Sequence, residues 1–412
     1  MIRNITCFFC FVMFLPGQLL ADGVMYRTTG GSVDVKATAQ RAIMWHREGR
    51  WEIHIQPQFE REKGSAAWVV PFPVKPTVHE GNEAFFSDLE LITSPMFAET
   101  CYESHSSFGC MGAEDTGANK GGNILVGESG VKVWEHSEVG DLEYVILSAE
   151  EGEDLGAWLE KEGFELPPGA DDLLSIYNAE GAFFFVARQS AKADPQKPLA
   201  PVRFVLLEME TPTYPLRMTA LGASATEKLD LTIWVIVSSE NYQDYFVPGS
   251  HPFRELNFHP RSRQEFDAAL DSFFATFSSE TFVVLSSLQS YDIRSVAVDG
   301  RVNGGYHDIT FSDLGIDAPA SWSPELFEIG RREQGVFRYQ ARLSADAMAK
   351  DLTLGLTTSL PYVQNVYIQE MGACDDLDSD CSMSKKIGLH AWWPIAFLVL
   401  VMIVLRRKRR KK

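Results

Sequence analysis

The sequence predicts an α+β protein: strand-dominated antiparallel sheets with a few short helices on one side, plus one C-terminal transmembrane helix. Three observations predict it. The stretch RAIMWHREGRWEIHIQPQFE alternates apolar and polar residues on both sides of a Gly-containing turn. VKVWEHSEVGDLEYVILSAE, AFFFVARQS, PVRFVLLEME and KLDLTIWVIVSS are rich in β-branched and aromatic residues at strand length. The chain ends in IGLHAWWPIAFLVLVMIVL, a run free of Asp, Glu, Lys and Arg, followed by the basic block RRKRRKK. Period-two alternation is the mark of a half-buried strand. An apolar run of about twenty residues is the mark of a membrane helix.

The elements follow in order. MIRNITCFFCFVMFLPGQLLA has a basic start, a compact apolar stretch, a break at Pro16 and Gly17, and a small residue, Ala21, for cleavage. It reads as a secretory signal peptide over residues 1–21. Ile43 and Trp45 stand two apart before Glu48 and Gly49, and Trp51, Ile53 and Ile55 alternate with Glu52 and His54 after them, which predicts a β-hairpin. SAAWVVPFPVKP carries Pro71, Pro73 and Pro76; these forbid a helix and suit an edge or extended segment. HEGNEAFFSDLELITSPMF holds a short helix that stops before Pro95. From Cys101 to Gly130 the chain is rich in Gly, Ser, Asn and acidic residues, a long loop.

Leu155, Trp158 and Leu159 lie at helical spacing with Gly163 as a stop, and Leu173, Leu174 and Tyr177 predict a second short helix. TPTYPLRMTALG is strand-like. RQEFDAALDSFFATF is an amphipathic helix with Phe266, Leu270, Phe273 and Phe274 on one side. SVAVDGRVNGGYHDITFSDLG is a hairpin module or an insertion. LSADAMAKDL is a last helix with Ser344 as N-cap. Residues 387–405 are the membrane helix, with Trp392 and Trp393 at its outer end and Pro394 early, where a missing N–H costs least. The basic residues 406–412 remain cytoplasmic by the positive-inside rule.

The resulting division is a signal peptide over 1–21, a main extracytoplasmic domain over 22–290 and a smaller continuation or second module over 291–371. An acidic Cys-containing stalk over 372–386, the helix over 387–405 and the basic tail over 406–412 complete it. The expected location is the cell envelope, with the body in the periplasm or at the cell surface and the C-terminus cytoplasmic. The expected partners are the lipid bilayer and envelope or surface proteins. Net charge excludes nucleic acid. The 412 residues sum to −19, and without Arg406–Lys412, Lys385, Lys386 and Arg3 they would sum to about −29. Affinity for DNA or RNA rests on cations that neutralise phosphates.

Cys7 and Cys10 fall in the signal peptide, which leaves Cys101, Cys110, Cys374 and Cys381. An even number in an exported chain predicts disulfides. Three pairings are open, and the two local ones, in CYESHSSFGC and CDDLDSDC, are the ones we expect. His105 lies between the first two Cys, but the tight Cys-x-x-Cys spacing of structural zinc sites is missing. Asp375, Asp376, Asp378 and Asp380 lack the Gly and closing Glu of a calcium loop. They read as a solvated acidic linker, so no metal site is predicted.

Nor is a catalytic or cofactor motif predicted. No HExxH is present, and GESG at Gly127 lacks the nucleophile-elbow spacing. GAEDTGANKGG has Ala118 where the phosphate loop needs Lys. His54 alternates with Ile53 and Ile55 and is expected to face solvent; His46 reads the same way. His251 and His259 flank Pro, Phe and Arg in SHPFRELNFHPRSR, an aromatic loop of the kind that carries function. We expect that pair to be structural or exposed, with a metal or catalytic pair as the sharper alternative. The many Trp residues are at core spacing, and a sugar-stacking surface is their sharper alternative.

Taken together, the hairpin with AAWVVPFPVKP, LEYVILSAEEGEDLGAWLEKEGFELPPGADDLLSIYNAEGAFFFVAR, TYPLRMTALG and FRYQARLSADAMAKDLTL resemble a bacterial exported family, a domain of unknown function numbered 2330. The resemblance covers most of residues 25 to 290, with a further patch near 337 to 355. It implies an exported, often membrane-anchored, β-rich protein and brings no catalytic residues. The chain departs from the family where ADGVMYRTTGG lacks a Cys after the signal. The tail is similar to short C-terminal sorting signals of some Gram-negative bacteria, with Cys381 as their Cys; that likeness implies trimming of the helix and passage to the cell surface. The expected function is binding, envelope organisation or surface interaction. The alternative is an exported hydrolase that uses carboxylates or a metal without a visible motif.

Overall fold

The computed structural model describes residues 24–28, 39–56, 66–102, 131–149, 155–190, 199–207, 209, 211–222, 228–238, 245–256, 258–303, 308–357 and 363–373. The predicted signal peptide and membrane helix, Cys110, Cys374 and Cys381 lie outside them. Among the described residues no helix is long and apolar enough to cross a membrane.

The predicted hairpin is present as β2 (Ala39–Arg47) and β3 (Arg50–Gln56), paired from Arg47 and Arg50 back to Arg41 and Gln56. Its two-residue turn puts Glu48 at φ 53° and Gly49 at φ 73°. Left-handed backbone at both positions is the turn that matches strand twist, and Gly adopts it without strain. The hairpin is the middle of an eight-stranded sheet. Its order is β15 (Phe253–Glu255), β16 (Phe282–Leu288), β19 (Gln334–Leu343), β13 (Leu229–Ser238), β2, β3, β11 (Val202–Leu206) and β5 (Thr77–Glu80). β13–β2 and β15–β16 run parallel, and the other described pairs of this sheet are antiparallel. The long strand of the 291–371 stretch thus lies inside the sheet, between β16 and β13.

A second, six-stranded sheet has the order β7 (Val131–Val139), β8 (Leu142–Ala149), β10 (Phe183–Gln189), β4 (Ala66–Phe72), β1 (Val24–Thr28) and β9 (Phe164–Glu165). The two sheets bury one face each against the other. Trp51, Ile53, Phe204, Ile233 and Phe337 of the first meet Trp68, Phe72, Ile146 and Phe185 of the second. The ring of Phe204 sits 4.6 Å from Phe72 and 4.9 Å from Phe185, centroid to centroid.

This pairing of sheets corrects the expectation of helices on one side. Each sheet has a second apolar face, and a face left to water would forfeit its burial energy of about 25 cal/mol per Å². Helices therefore cover both. α2 (Leu155–Lys161), α3 (Ala170–Ala179) and α4 (Leu216–Gly222) lay Leu159, Leu174, Tyr177 and Met218 on Val69, Leu147, Phe184 and Val186. α1 (Glu83–Thr93), α6 (Ser290–Arg294) and α7 (Pro324–Arg331) cover the eight-stranded sheet, and α5 (Arg263–Thr276) lies beside its β15 end. Phe85 packs on Trp45 and Phe86 on Trp234, whose indole N–H donates to Thr93 Oγ1 at 2.9 Å. Asp88 of α1 accepts the N–H of Ser323 at the start of α7, at 2.7 Å. The result is a four-layer sandwich: helices, sheet, sheet, helices.

Other departures are local. WVVPFP is not an edge: β4 runs between β10 and β1. Pro71 lies opposite Phe184 of β10. TPTYPLRMTALG gives only β12 (Thr213–Tyr214) before α4, since Pro215 ends the strand and Leu216, Met218 and Thr219 are all buried. LSADAMAKDL forms one 3₁₀ turn over Asp346–Met348, with Ala347 N–H on Ser344 Oγ at 3.3 Å. β20 (Leu352–Thr357) follows and pairs with β12 and β14 (Tyr245–Pro248). β17 (Arg301–Asn303) and β18 (Asp308–Thr310) make the hairpin expected near residue 300. β6 (Met96–Tyr102), which contains Cys101, pairs with β21 (Val366–Ala373) in a separate two-stranded ribbon.

Candidate functional site

A hydrolase would need a carboxylate or imidazole whose proton is free to move. Buried titratable groups are where such a proton would be held. On β3, Trp51, Ile53 and Ile55 face the inter-sheet core, and Glu52 and His54 face α1. His54 does not face solvent as its alternation predicts. It is 1 % exposed, because α1 covers the face that a two-layer reading leaves to water. His54 lies opposite Arg203 of β11, and Arg203 lies opposite His79 of β5, so three adjacent strands form one polar row.

Glu52 is fully buried in this row. Arg47 grips it with Nε at 2.8 Å from Oε1 and a terminal nitrogen at 3.0 Å from Oε2. Arg203 stands 3.3 Å away and Arg50 3.4 Å. Burial alone would raise the Glu52 carboxyl. The Arg47 fork and the charges of Arg47 and Arg203 outweigh it and hold the group far below the ordinary carboxylate range. Such a carboxylate neither gives nor takes a proton near neutrality. Burial pushes the His54 imidazole down. Its Nε2 is 3.7 Å from Glu52 Oε2, beyond hydrogen-bond reach, and the ring packs 5.6 Å from Phe85. Both groups hold hairpin and helix together. Arg47 extends the clamp to Glu328 of α7 at 2.6 Å.

A second buried cluster centres on Asp351. It accepts from the Tyr177 hydroxyl at 2.7 Å, the Arg217 backbone N–H at 2.9 Å and the Arg217 Nε at 2.9 Å. Arg217 continues to Glu180 and stacks 4.2 Å over the Tyr177 ring. Beside it, Ser250 Oγ is 2.8 Å from His251 Nδ1, a contact that looks like a nucleophile and its base. The surroundings argue otherwise. Ser250 Oγ also meets the Asp351 carbonyl at 2.9 Å and accepts the Thr353 N–H at 2.9 Å. His251 is 3 % exposed and turns Nε2 to the Ala347 carbonyl at 3.1 Å. The pair pins a loop. His251 and His259 do not share an environment: the first is buried and the second exposed.

The open site lies further along the same loop. Between the edge strand β15 and α5 is a cleft of about 870 Å³, lined by Phe253, Arg254, Leu256, Phe258, Phe273 and Phe277. Ser262 caps α5, its Oγ accepting the Glu265 N–H at 3.2 Å. The helix buries Phe266, Leu270, Phe273 and Phe274, as its periodicity predicts. Its small residues Ala268, Ala269 and Ser272 line the cleft and leave the space. Phe258 is 39 % exposed and Phe277 36 %, with the Arg254 guanidinium 5.0 Å over the Phe277 ring. The cleft is open, and its apolar side chains are interspersed with Arg254, Glu255, Glu265, Ser272 and Thr276.

The sequence singled out this loop but weighted its histidines, and the residues that line the cleft are its Phe, Leu and Arg. Of the disulfide candidates, Cys101 falls in β6 and the other three lie outside the described residues, as do GESG and GAEDTGANKGG. Among the described residues no group of three His, Cys, Asp or Glu is placed to hold a metal ion. Trp45, Trp51, Trp68 and Trp234 are core residues, as their spacing predicts. A family model described as an uncharacterized protein conserved in bacteria (DUF2330) matches residues 23–285, a span that contains the cleft. No curated protein and no solved structure matches the chain.

Proposed function

We propose, for a chain that belongs to the DUF2330 family of bacterial proteins, that its role is binding at the cell envelope. The protein is exported and tethered by its C-terminal helix, and the cleft between β15 and α5 is its docking surface. The cleft is the observation that carries the reading: it is open, more apolar than polar, and rimmed by half-exposed Phe258 and Phe277. Glu52, Asp351 and Ser250, which a hydrolytic reading would draw on, are instead committed to arginines and backbone groups. Support for export is the basic-apolar-small pattern of residues 1–21 and the apolar run 387–405 before a basic block.

Two experiments test it. A photo-crosslinking phenylalanine at position 258 is expected to give a discrete protein adduct in intact cells, and Ala269→Trp, which fills the cleft, is expected to abolish it. No adduct, or an adduct unchanged in Ala269→Trp, sinks the docking reading. A reporter that matures only in the cytosol, inserted between residues 370 and 386, is expected to stay dark. A lit reporter overturns export.

A further inference from the structure

We infer that the occupant of the cleft is an extended polypeptide segment, which adds as a strand to the outer edge of β15 and sets a carboxylate against Arg254. The inference rests on the cleft being the docking surface. β15 is the last strand of the eight-stranded sheet, and among the described residues nothing pairs with its outer edge. Its neighbour β16 runs parallel, with Phe253 opposite Phe282 and Glu255 opposite Val284. The Phe282 N–H donates to the Pro252 carbonyl at 2.8 Å. In a parallel ladder a strand turns the N–H and C=O of alternate residues to the same neighbour. Pro252 and Arg254 therefore face β16, and Phe253 and Glu255 turn their N–H and C=O outward. Two donors and two acceptors in strand register recognise another backbone, and few other ligands match that spacing.

The side chains agree with this direction. Phe253 is half-buried against the inter-sheet core and only borders the cleft, and Arg254, on the opposite face, is exposed and reaches Phe277. A strand laid beside β15 shares that alternation, so every second side chain enters the cleft over Ala268, Ala269 and Ser272. Apolar residues suit those positions. Charge selects one more. Glu265, also in the cleft, is occupied by Arg261 at 2.9 Å. The Arg254 guanidinium lies over the Phe277 ring, with no carboxylate in ion-pair reach among the described residues. Without an ion pair among the described residues, the Arg254 cation favours an acidic side chain in the partner at the position that meets it.

The test uses the full chain in detergent micelles with three synthetic hexapeptides. These are TVEVTV, its lysine counterpart TVKVTV, and TVEVTV with alternate backbone nitrogens methylated. TVEVTV is expected to bind and to slow hydrogen exchange across residues 253–255. It binds about fivefold more tightly than TVKVTV, the scale of one exposed charge pair, and the methylated peptide does not bind. Arg254→Glu, at an exposed position, is expected to reverse the order of the first two. Equal binding of the methylated peptide, or unchanged exchange at β15, overturns strand addition while the crosslink at position 258 still supports docking. Binding by none of the three peptides with that crosslink intact also overturns it, whereas loss of the crosslink removes the docking reading itself.

Discussion

Arg47 closes a two-point clamp on Glu52, at 2.8 Å and 3.0 Å, around a carboxylate that solvent does not reach. The clamp joins the hairpin to α7 through Glu328. Removing one partner of a buried pair strands the other, so Glu52→Gln is expected to cost about 3–5 kcal/mol. The pH dependence has a definite sign. The folded carboxyl lies below its unfolded value of about 4.3, so its contribution is full above that pH, starts to decline there and is lost as pH falls on toward the folded value. Urea unfolding of the full chain at pH 7 and pH 4 checks both points. Glu52→Gln is expected to show a smaller loss on acidification than the parent, and an equal loss would remove Glu52 from the account.

His54 gives a prediction of opposite sense. Neither ring nitrogen has a hydrogen-bond partner, and the ring is walled by Phe85 and Trp45. A buried polar group without a partner costs about 1–3 kcal/mol, so His54→Phe is expected to be neutral or stabilising at pH 7. Burial lowers the folded pKa below about 6.5. The unfolded chain therefore takes up the proton first, and stability falls as pH drops below that value, by up to about 1.4 kcal/mol per pH unit. Thermal unfolding between pH 7 and pH 5 is expected to show a shallower slope for His54→Phe. A slope that matches the parent would mean that His54 already titrates normally in the fold.

Asp351 ties α3 and α4 to β20 by accepting from Tyr177 and from both the backbone and side chain of Arg217. Asp351→Ala leaves three donors without their acceptor, one of them charged, and is expected to cost about 3–5 kcal/mol. Tyr177→Phe removes a single hydroxyl and is expected to cost about 1.5–3 kcal/mol, the range for a hydrogen bond to a charged group. Burial, then the Asp351 charge, holds the Tyr177 phenol far above its usual value. A raised phenol contributes stability below the unfolded pKa of about 10, and loses it as pH rises beyond. Unfolding midpoints at pH 8 and pH 11 are expected to differ less in Tyr177→Phe than in the parent.

The hairpin was legible because its signal is local: two alternating runs and a Gly at the position that needs φ 73°. α5 was legible for the same reason, since one face carries all of its buried residues. His54 was misread because alternation assumes water on one side of the sheet, and the covering element, α1, comes nearly thirty residues later. The partner across from His54 is Arg203, on a strand that no local pattern connects to it. TPTYPLRMTALG was misread because a two-turn helix buried on several sides has no apolar stripe. The cleft was half legible: SHPFRELNFHPRSR marked the loop. The space itself arises where small residues of α5 meet the end of a sheet, a match between elements that composition does not encode.

Gly249 and Gly355 stand against each other where the loop toward β15 leaves β14, and this yields the last prediction. A Cβ on Gly249 would come within 2.7 Å of the Gly355 backbone nitrogen and 2.9 Å of its Cα. Backbone cannot swing aside as a side chain does, so the whole loop must shift. That loop carries the Ser250 and His251 contacts and then the first residues of β15, including the N–H and C=O groups inferred to receive a strand. Gly249→Ala is expected to cost about 3 kcal/mol, at the upper end for overpacking. Gly355→Ala, whose Cβ approaches no closer than 3.1 Å to the Gly249 Cα, is expected to cost about 1 kcal/mol. Denaturant midpoints give the order of the two, and hydrogen exchange across residues 249–255 gives its cause. Faster exchange there in Gly249→Ala, with β13 and β19 unchanged, ties the glycine contact to the edge strand. Equal midpoints for the two variants would show that the loop accommodates a methyl on either side, and that the close approach does not position β15.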